Sequence, residues 1–415
     1  MKRRALLLFA AGLSAGAVLR GQDDILDTLD QKLTLSAWQD TWRVHLSGLF
    51  DAEGYEFQSP APGFIYASGD SIFVPRLALF LDGQAGEHIY FFAQTRLDRG
   101  FDPVPGNLQL RPDEYAVRLM PGDGHKFSLQ LGKFATVVGN WTERHDSWNN
   151  PFITAPLPYD NLSGVWDAFP ARSTLTLLNW AHLRPYPPGD ADADKQLRLP
   201  LIWGPSYATG ASASGAVGTI SYAFEVKNAD LSSRPQTWQP NQTQWDHPTY
   251  SGRIGYRPDE LWSFGVSASE GPYLRETAEG AVPIGRSFDA YRETLLGQDA
   301  AFAWHHFQAW AEVYEVRYAI PGVTNADTWA YYVEAKYKFS PQFFGAIRWN
   351  QQLYGDIPFA GTMTPWGADV WRIDAAPTYR LTAHLQLKLQ YSIQQGNADP
   401  HNLGHTLAGQ VTLRF

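Results

Sequence analysis

Apolar and polar residues alternate with a period of two along most of the chain, the pattern of a β-strand whose two faces meet different surroundings. From Thr406 to Phe415, apolar residues and Gly409 occupy one face, and mostly polar residues the other. Similar segments lie near 329–339, 343–350, 371–380 and 385–393, and near 43–50, 89–98 and 114–119. The chain is therefore predicted to be a series of β-hairpins.

The predicted connections alternate between short and long. Tight turns lie at 83–86, 121–124 and 257–260, whereas connections rich in Gly, Pro and Asp lie near 56–70, 184–198, 228–247, 270–294 and 355–368. This asymmetry is typical of transmembrane barrels with short periplasmic turns and long extracellular loops. A closed barrel also leaves no unpaired strand edge in lipid. We predict an all-β fold, a single transmembrane antiparallel β-barrel of about 16–18 strands over 41–415, in which 160–167 and 199–211 are the weakest strands.

The N-terminus has the features of a secretory signal peptide. Three basic residues, Lys2 to Arg4, precede a short apolar run and small residues that end at Ala17. We predict a signal peptide over 1–21, cleaved between 17 and 21, and a periplasmic N-terminal segment over 22–40. Apolar residues at helical spacing in 23–36 are compatible with a short helix or with an unstructured leader. Export followed by barrel formation predicts the outer membrane of a Gram-negative-type bacterium.

Composition removes several classes of function. The 415 residues include no cysteine, which excludes disulfide scaffolds, thiolate metal sites and cysteine nucleophiles. No apolar run of 18 residues follows the N-terminus, which excludes a helical membrane protein. Loss of the four basic residues in the signal peptide would change the net charge from -9 to about -13. This charge does not suit a nucleic-acid partner.

Aromatic residues recur where predicted strands meet turns, as in the interfacial girdles of membrane barrels. These residues are Tyr256, Trp262, Trp304, Phe307, Phe339, Phe343, Tyr379 and Phe415. Five other tryptophans are not all accounted for by the girdles and could stack on sugar faces, with an interfacial position as the favoured alternative: Trp141, Trp148, Trp166, Trp203 and Trp310.

An exported, cysteine-free chain whose last alternating strand ends in Phe415 resembles the bacterial outer-membrane porins. The stretch Leu129 to Phe134, a strand that runs into a loop through Gly-Lys-Phe, is loosely similar to a feature of the phosphate-selective porin O/P superfamily, although the Lys- and Arg-rich loop signature of phosphate selectivity is not evident. The resemblance implies passive diffusion of small hydrophilic or anionic solutes and a homotrimer. It also implies contact with outer-membrane lipid and lipopolysaccharide, and recognition of the C-terminal strand by the barrel assembly machinery.

The stretch 135–160 is the candidate constriction loop. It places Glu143, Arg144, His145 and Asp146 between large aromatic residues. By analogy with porins it could fold inward and narrow the channel. The alternative is an outward loop that contacts lipopolysaccharide or a neighbouring subunit.

The polar faces of the predicted strands carry more basic than acidic residues, which predicts a weak preference for anions. The alternative is that arginines solvate a wide channel and pair with nearby carboxylates. The acidic residues on these faces are Asp98, Glu114, Glu312, Glu334 and Asp374, so most of the acid is expected in loops and turns. The basic residues are Arg43, Arg76, Arg96, Arg118, Lys336, Lys338, Arg348, Arg372, Arg380, Lys388 and Arg414.

We expect no enzyme activity, no cofactor and no metal site. A G-x-S-x-G motif at 12–16 lies within the predicted signal peptide, and the acidic repeat at 190–194 lacks the Gly and Glu of a calcium loop. The pair His305-His306 is expected in a turn. Two rival functions remain: a secreted soluble β-rich protein that binds or cleaves glycans, which needs paired carboxylates across a cleft, and an outer-membrane barrel with an enzymatic Ser/His or Asp/His group at its rim.

Overall fold

The computed structural model describes residues 20–39, 41–58, 61, 63–67, 69–98, 108–122, 126–182, 195–235, 244–396 and 399–415. Most of the predicted signal peptide, up to residue 19, and the acidic repeat at 190–194 lie outside this part of the chain.

Sixteen antiparallel strands form a closed ring in which each strand pairs with its neighbours in chain order and the last pairs with the first. This confirms the predicted all-β antiparallel barrel, at the lower of the two strand counts. Three further strands are shorter: β1 (Thr34–Ala37) pairs with the start of β2, and β15 (Asp356–Phe359) and β16 (Thr362–Pro365) form a separate hairpin. The ring consists of β2 (Trp42–Phe57), β3 (Ser71–Ala85), β4 (Ile89–Asp98), β5 (Gln109–Leu119), β6 (Ser128–Phe134), β7 (Ala208–Val217), β8 (Ile220–Lys227), β9 (Thr249–Tyr256), β10 (Trp262–Pro272), β11 (Arg292–Trp304), β12 (Phe307–Ala319), β13 (Asn325–Lys338), β14 (Phe343–Tyr354), β17 (Val370–Arg380), β18 (Leu385–Gly396) and β19 (Asp399–Arg414).

In the part of the chain that the structure describes, three α-helices lie outside the sheet: α1 (Arg20–Lys32), α2 (Leu157–Asp160) and α3 (Thr174–His182). Helix α1 corresponds to the helical alternative predicted for 23–36. The Asp27 carboxylate lies 2.8 Å from Nε2 of His384, in the short turn between β17 and β18, and this contact places α1 at the short-turn end of the barrel. Within the described residues, no helix is long and apolar enough to cross a membrane.

Short and long connections alternate as predicted. At one end, His305-His306 joins β11 to β12, and 339–342 joins β13 to β14. His305 has a positive φ of 51°, as a tight hairpin turn requires. The opposite end carries the connections 228–248, 273–291 and 355–369. The two weakest predicted strands are not barrel strands as predicted: Asp160 ends helix α2 and 161–167 is irregular, and only 208–211 of the second belongs to β7.

The outward faces of the ring strands are apolar. On β13, Trp329, Val333 and Tyr337 are exposed, whereas the alternate residues Tyr332 and Glu334 are buried in the interior. Exposed aromatic residues gather at the short-turn end, as the girdle prediction expects: Tyr256, Trp262, Trp304, Tyr337, Phe339, Phe343 and Tyr379. Large exposed apolar side chains on strand after strand suit contact with lipid rather than with water.

The interior is not uniformly polar, and this differs from the simple alternation that the sequence predicts. Tyr314, Val316 and Tyr318, which alternate along β12, point inward and are almost fully buried. They belong to an apolar cluster with Trp203 and other residues between β6 and β7. The main apolar core of the molecule therefore lies inside the barrel, against β10 to β13.

Candidate solute pathway inside the barrel

The connection between β6 and β7 is the longest in the chain, and we call its described parts, 135–182 and 195–207, the inserted segment. Its polar groups bond to interior side chains of β10 to β14, β17 and β18, on the far side of the ring from β6 and β7. For example, the Gly139 N–H donates to Ser267 Oγ at 3.3 Å, and the Ile153 N–H donates to Gln390 Oε1 at 2.6 Å. These contacts favour the inward alternative for 135–160.

Glu312 on β12 is a central acceptor for the inserted segment. Its carboxylate accepts the main-chain N–H groups of Asn140 and Trp141, the latter at 3.0 Å, and the Tyr159 hydroxyl at 2.7 Å. Glu312 is fully buried. One wall carboxylate therefore satisfies donors from two parts of the inserted segment that are 18 residues apart.

Arg348, Arg372 and Lys388 also hold the inserted segment. Arg348 pairs with Asp374 at 2.9 Å and donates to the Thr154 carbonyl at 3.0 Å. Arg372 donates to the Ala155 carbonyl, and Lys388 donates to three segment carbonyls at 2.7 to 3.2 Å. All three side chains are buried. They lie on the interior face that the sequence predicts, but they are covered by the inserted segment and do not contact an open pathway.

The four residues predicted at the constriction, Glu143 to Asp146, differ in their surroundings. Arg144 is buried, pairs with Glu334 and donates to the Tyr332 hydroxyl at 2.9 Å. Asp146 accepts the N–H groups of Trp148 and Asn149 at 2.9 Å and so stabilises the turn of its own loop. Glu143 is exposed and lines the open cavity described below.

His145, the remaining one of the four residues predicted at the constriction, lies between two hydrogen-bonding partners. Its Nδ1–H donates to the Thr142 carbonyl at 2.6 Å, and its Nε2 lies 2.8 Å from the Tyr207 hydroxyl. Burial lowers the pKa of the imidazole, which favours the neutral ring. In that state Nε2 accepts from Tyr207, so His145 connects the two ends of the inserted segment.

Two predicted basic residues of the N-terminal strands, Arg76 and Arg96, are neutralised by carboxylates, most of which were not predicted to lie in the interior. Arg76 pairs with Asp51 at 3.3 Å and with Glu53. Arg96 pairs with Asp98 at 3.1 Å and with Asp113 at 3.0 Å. Buried Glu225 and Asp299 add to this set. The interior of the barrel therefore carries more acidic residues than the sequence predicts. The alternation of inward and outward residues, followed further along β2 and β5, would have placed Asp51, Glu53 and Asp113 inside the barrel.

Arg43 and Arg118 are the remaining predicted N-terminal residues. Arg43 is exposed near the start of β2, and Arg118 on β5 donates to Gln130 Oε1 at 2.7 and 3.0 Å.

An open cavity of about 770 Å³ lies between the interior faces of β3 to β9 and residues 134–145. Its charged side chains are mixed: three carboxylates and two guanidinium groups, of which Arg253 is paired with Asp299 at 2.7 Å. A smaller cavity of about 100 Å³ shares Phe80, Gln94 and His145 with it. The charged lining residues of the larger cavity are Asp82, Glu114, Glu143, Arg118 and Arg253.

Aromatic rings in this cavity come from residues other than the predicted sugar platforms. Tyr90 and Phe92 on β4 line it, and the Arg118 guanidinium lies 5.9 Å from both ring centres. Tyr90 and Phe92 lie on the same face of β4 as Gln94, and this alternation in the sequence could have identified them. The tryptophans considered as sugar platforms do not line it: Trp141, Trp148, Trp166 and Trp203 are buried, and Arg144 covers the ring of Trp310 at 4.4 Å.

A group of basic residues lies at the short-turn end of β13, β17 and β19, and we call Lys336, Lys338, Arg380 and Arg414 the basic rim. Arg380 and Arg414 both lie over the ring of Trp148, with guanidinium carbons 5.0 and 4.6 Å from its centre. Among the described residues, no carboxylate lies within 4 Å of these four cations. The rim is therefore a local excess of positive charge.

The described residues contain no group of three or more His, Cys, Asp or Glu side chains arranged to hold a metal ion. The absence of enzyme activity stays a prediction.

No family model and no curated protein sequence matches the chain. Solved structures share its architecture. OmpF of Salmonella typhi in complex with daunomycin aligns with a TM-score of 0.56 at 12% identity, covering 92% of this chain and all of that chain. The anion-selective porin from Comamonas acidovorans gives 0.53 at 11% identity, with 90% and 100% covered. The outer membrane channel DcaP of Acinetobacter baumannii gives 0.53 at 12% identity, with 92% and 100% covered. The chain thus has a porin-like barrel fold.

Proposed function

We propose that this protein is an outer-membrane channel through which small hydrophilic solutes diffuse passively. The observation that carries the proposal is an open cavity of about 770 Å³, lined by charged, polar and aromatic side chains, inside a closed barrel whose outer surface is apolar. A closed ring with this outer face can lie in lipid without unpaired backbone groups. The predicted signal peptide and the porin-like fold support the outer membrane as its location. The homotrimer and the contacts with lipopolysaccharide and the assembly machinery remain predictions from the resemblance to porins.

The pathway is expected to be narrow, because the inserted segment fills much of the lumen. Its contacts reach the interior faces of seven strands on the far side of the ring, and the open cavity borders the opposite wall. The single-channel conductance should therefore be smaller than that of a barrel of sixteen strands with an open lumen. In this proposal the stretch 135–160 forms the constriction. Glu143 is the charged residue of this stretch that contacts the solute.

Selectivity follows from the charges that solvent reaches. The buried arginines are paired and contribute little, and the cavity itself carries a mixed set. The basic rim supports a weak preference for anions, because unpaired cations at a channel mouth lower the barrier for negative solutes. This preference rests on four residues at one mouth rather than on a basic lumen.

The apolar outer face does not favour the soluble glycan-binding alternative. A soluble protein would expose Val313, Val333, Ile347 and Trp349 to water on neighbouring strands.

The absence of native cysteines makes the pathway directly testable. Ser214 on β7 lines the cavity, whereas its neighbour Ala213 faces outward beside Leu129. In planar bilayers, the refolded protein should give discrete conductance steps. A charged thiosulfonate reagent should reduce the steps of Ser214→Cys and leave those of Ala213→Cys unchanged. A protein without steps, or a block that is equal in both variants, would contradict the proposal.

A further inference from the structure

Two carboxylates are buried together at the long-loop end of the barrel, away from the solute pathway. Asp230 lies in the connection that follows β8, and Glu293 is the second residue of β11. Each is about 1% exposed. Among the described residues, no Lys, Arg or His nitrogen lies within 4 Å of either carboxylate, and the neighbouring Arg292 bonds to Glu270 and to the Asp289 carbonyl.

The sheet register brings a hydroxyl group to the same place. Gly271 on β10 pairs with Glu293 on β11. A Cβ added at Gly271 would overlap Oγ1 of Thr249, at the start of β9. The Thr249 hydroxyl thus occupies the space that a side chain at position 271 would fill, beside Glu293. This explains why the position is glycine.

The connection after β8 supplies the other groups. The side chain and main-chain N–H of Ser232 face the Glu293 carboxylate, and the Asp230 carboxyl faces it as well. Ser232 and Thr249 are 0% and 1% exposed. The Asp230 carboxyl and the Ser232 hydroxyl therefore lie at the Glu293 carboxylate, and the Thr249 hydroxyl lies over the cross-strand neighbour of Glu293.

Six side-chain oxygens of this group have no hydrogen-bond partner: both carboxylate oxygens of Asp230 and of Glu293, Oγ of Ser232 and Oγ1 of Thr249. Buried polar groups normally find partners, and an unpaired buried carboxylate is strongly destabilising. Burial raises the pKa of Asp230. One proton shared between the carboxyls would reduce their repulsion and join two of the four carboxylate oxygens, but it would leave the other two oxygens and both hydroxyls without a partner. A cation can bind all six.

We propose that Asp230, Ser232, Thr249 and Glu293 bind one divalent cation with the chemistry of Ca²⁺. The donors are all oxygen, their two negative charges balance the ion, and Ca²⁺ accepts six to eight oxygen ligands in flexible geometry. The smaller Mg²⁺ demands a stricter octahedron and retains water, for which a site this closed leaves little room.

The bound cation would connect the barrel wall to its contents. Leu231, between two of the proposed ligands, accepts the Trp203 N–H of the inserted segment at 2.8 Å. Tyr318, whose ring packs on Tyr273 beside the site, donates to the Pro200 carbonyl at 3.0 Å. The cation thus stabilises the long-loop end of the inserted segment, which is a structural role separate from solute passage.

The test uses the full refolded protein in detergent, free of lipopolysaccharide and treated with a calcium chelator. Ca²⁺ should raise the heat-denaturation midpoint along a saturable curve, with a weaker response to Mg²⁺. Tb³⁺, excited through Tyr273 and Tyr318, should give sensitised luminescence from one ion per chain that Ca²⁺ displaces.

The double variant Asp230→Asn/Glu293→Gln keeps the shapes of the side chains and removes the charges. It should lose the Ca²⁺-dependent shift and bind Tb³⁺ at least tenfold more weakly. Glu270→Gln, a matched change of an exposed carboxylate nearby, should behave as the wild type. A wild-type midpoint that does not respond to Ca²⁺, or a shift that survives in the double variant, would overturn the proposal. If the double variant does not fold, the wild-type Tb³⁺ titration decides, because the absence of a Ca²⁺-displaceable ion would overturn the proposal equally.

Discussion

The ring of Phe415, the last residue of the chain, lies directly over the α-carbon of Gly48 on β2. A Cβ added at Gly48 would overlap Cζ of the ring and lie 2.9 Å from Cε1. The same two residues exchange main-chain hydrogen bonds, from the Gly48 N–H to the Phe415 carbonyl at 2.8 Å and from the Phe415 N–H to the Gly48 carbonyl at 3.0 Å. This contact fixes the register in which the last strand closes on the first strand of the ring.

Gly48→Ala should weaken barrel closure, because the added methyl group forces the Phe415 ring from its place. We expect a loss of about 1–3 kcal/mol in the free energy of unfolding, the usual cost of overpacking. Guanidinium unfolding of the refolded protein measures it. Gly54→Ala is the control on the same strand, since a Cβ there has no neighbour within 4 Å. Equal stability of the two variants would mean that the ring moves aside without cost.

Glu312→Ala should release the start of the inserted segment. The change leaves the Asn140 and Trp141 N–H groups and the Tyr159 hydroxyl without their acceptor. Buried donors left unpaired cost about 1–3 kcal/mol each. We expect lower stability and larger, noisier conductance steps in planar bilayers. Glu315→Ala, on the outward face of the same strand, should leave the conductance unchanged. A destabilised Glu312→Ala protein with wild-type conductance would show that this part of the segment does not limit the pathway.

Arg380→Gln/Arg414→Gln should shift the reversal potential in a salt gradient toward cations, because it removes half of the charge of the basic rim. Both guanidinium groups lie over Trp148. Arg257→Gln, an exposed change in a short turn at the same end, is the control for charge outside the lumen. If the double variant and the control shift equally, or neither shifts, the rim does not set the selectivity.

Asp160 should make the stability of the protein depend on pH. Burial raises the pKa of this carboxyl to about 6, although Arg372 and Arg348 oppose the shift. The pKa in the unfolded chain is near 3.9, so the folded protein binds the proton more tightly. The contribution of Asp160 to stability is then full below about pH 4 and is lost as the pH rises to about 6. The difference is about 3 kcal/mol.

The stability of Asp160→Asn relative to the wild type should increase between pH 4 and pH 7 by up to that amount. Unfolding midpoints of both proteins across this range measure the change. A constant difference between the two proteins would show that Asp160 keeps the same protonation state throughout.

The arrangement of the wall follows from the sequence, since lipid requires apolar side chains on one face and the backbone requires every strand to be paired. The period of two placed Val333 and Val411 outward and Glu334 and Gln410 inward, as the structure has them. The alternation of short and long connections placed the short turns at one end of the barrel and the long connections at the other. These features depend on local pattern, and each residue contributes to them independently of distant residues.

The charge pairing inside the barrel depends on residues that are far apart along the chain. The alternation of apolar and polar residues does not predict that Arg144 and Glu334 are neighbours, yet they form an ion pair although they are 190 residues apart in the chain. The alternation places Arg96 inside the barrel but does not reveal that Asp98 and Asp113 neutralise it. The basic lumen predicted from the numbers of basic and acidic residues was therefore not found. The stretch 160–167 had a weak strand pattern, but its Val165 packs in the apolar cluster inside the barrel instead.

The sequence by itself thus determined the barrel, its apolar outer face and its closing strand, because a two-sided environment imposes a repeating requirement on each residue. Only the tertiary structure decided which charges remain free, where the inserted segment lies and that Asp230 meets Glu293. Those outcomes depend on desolvation and on the pairing of particular groups, and a buried charge takes its partner from whichever distant segment the fold brings beside it.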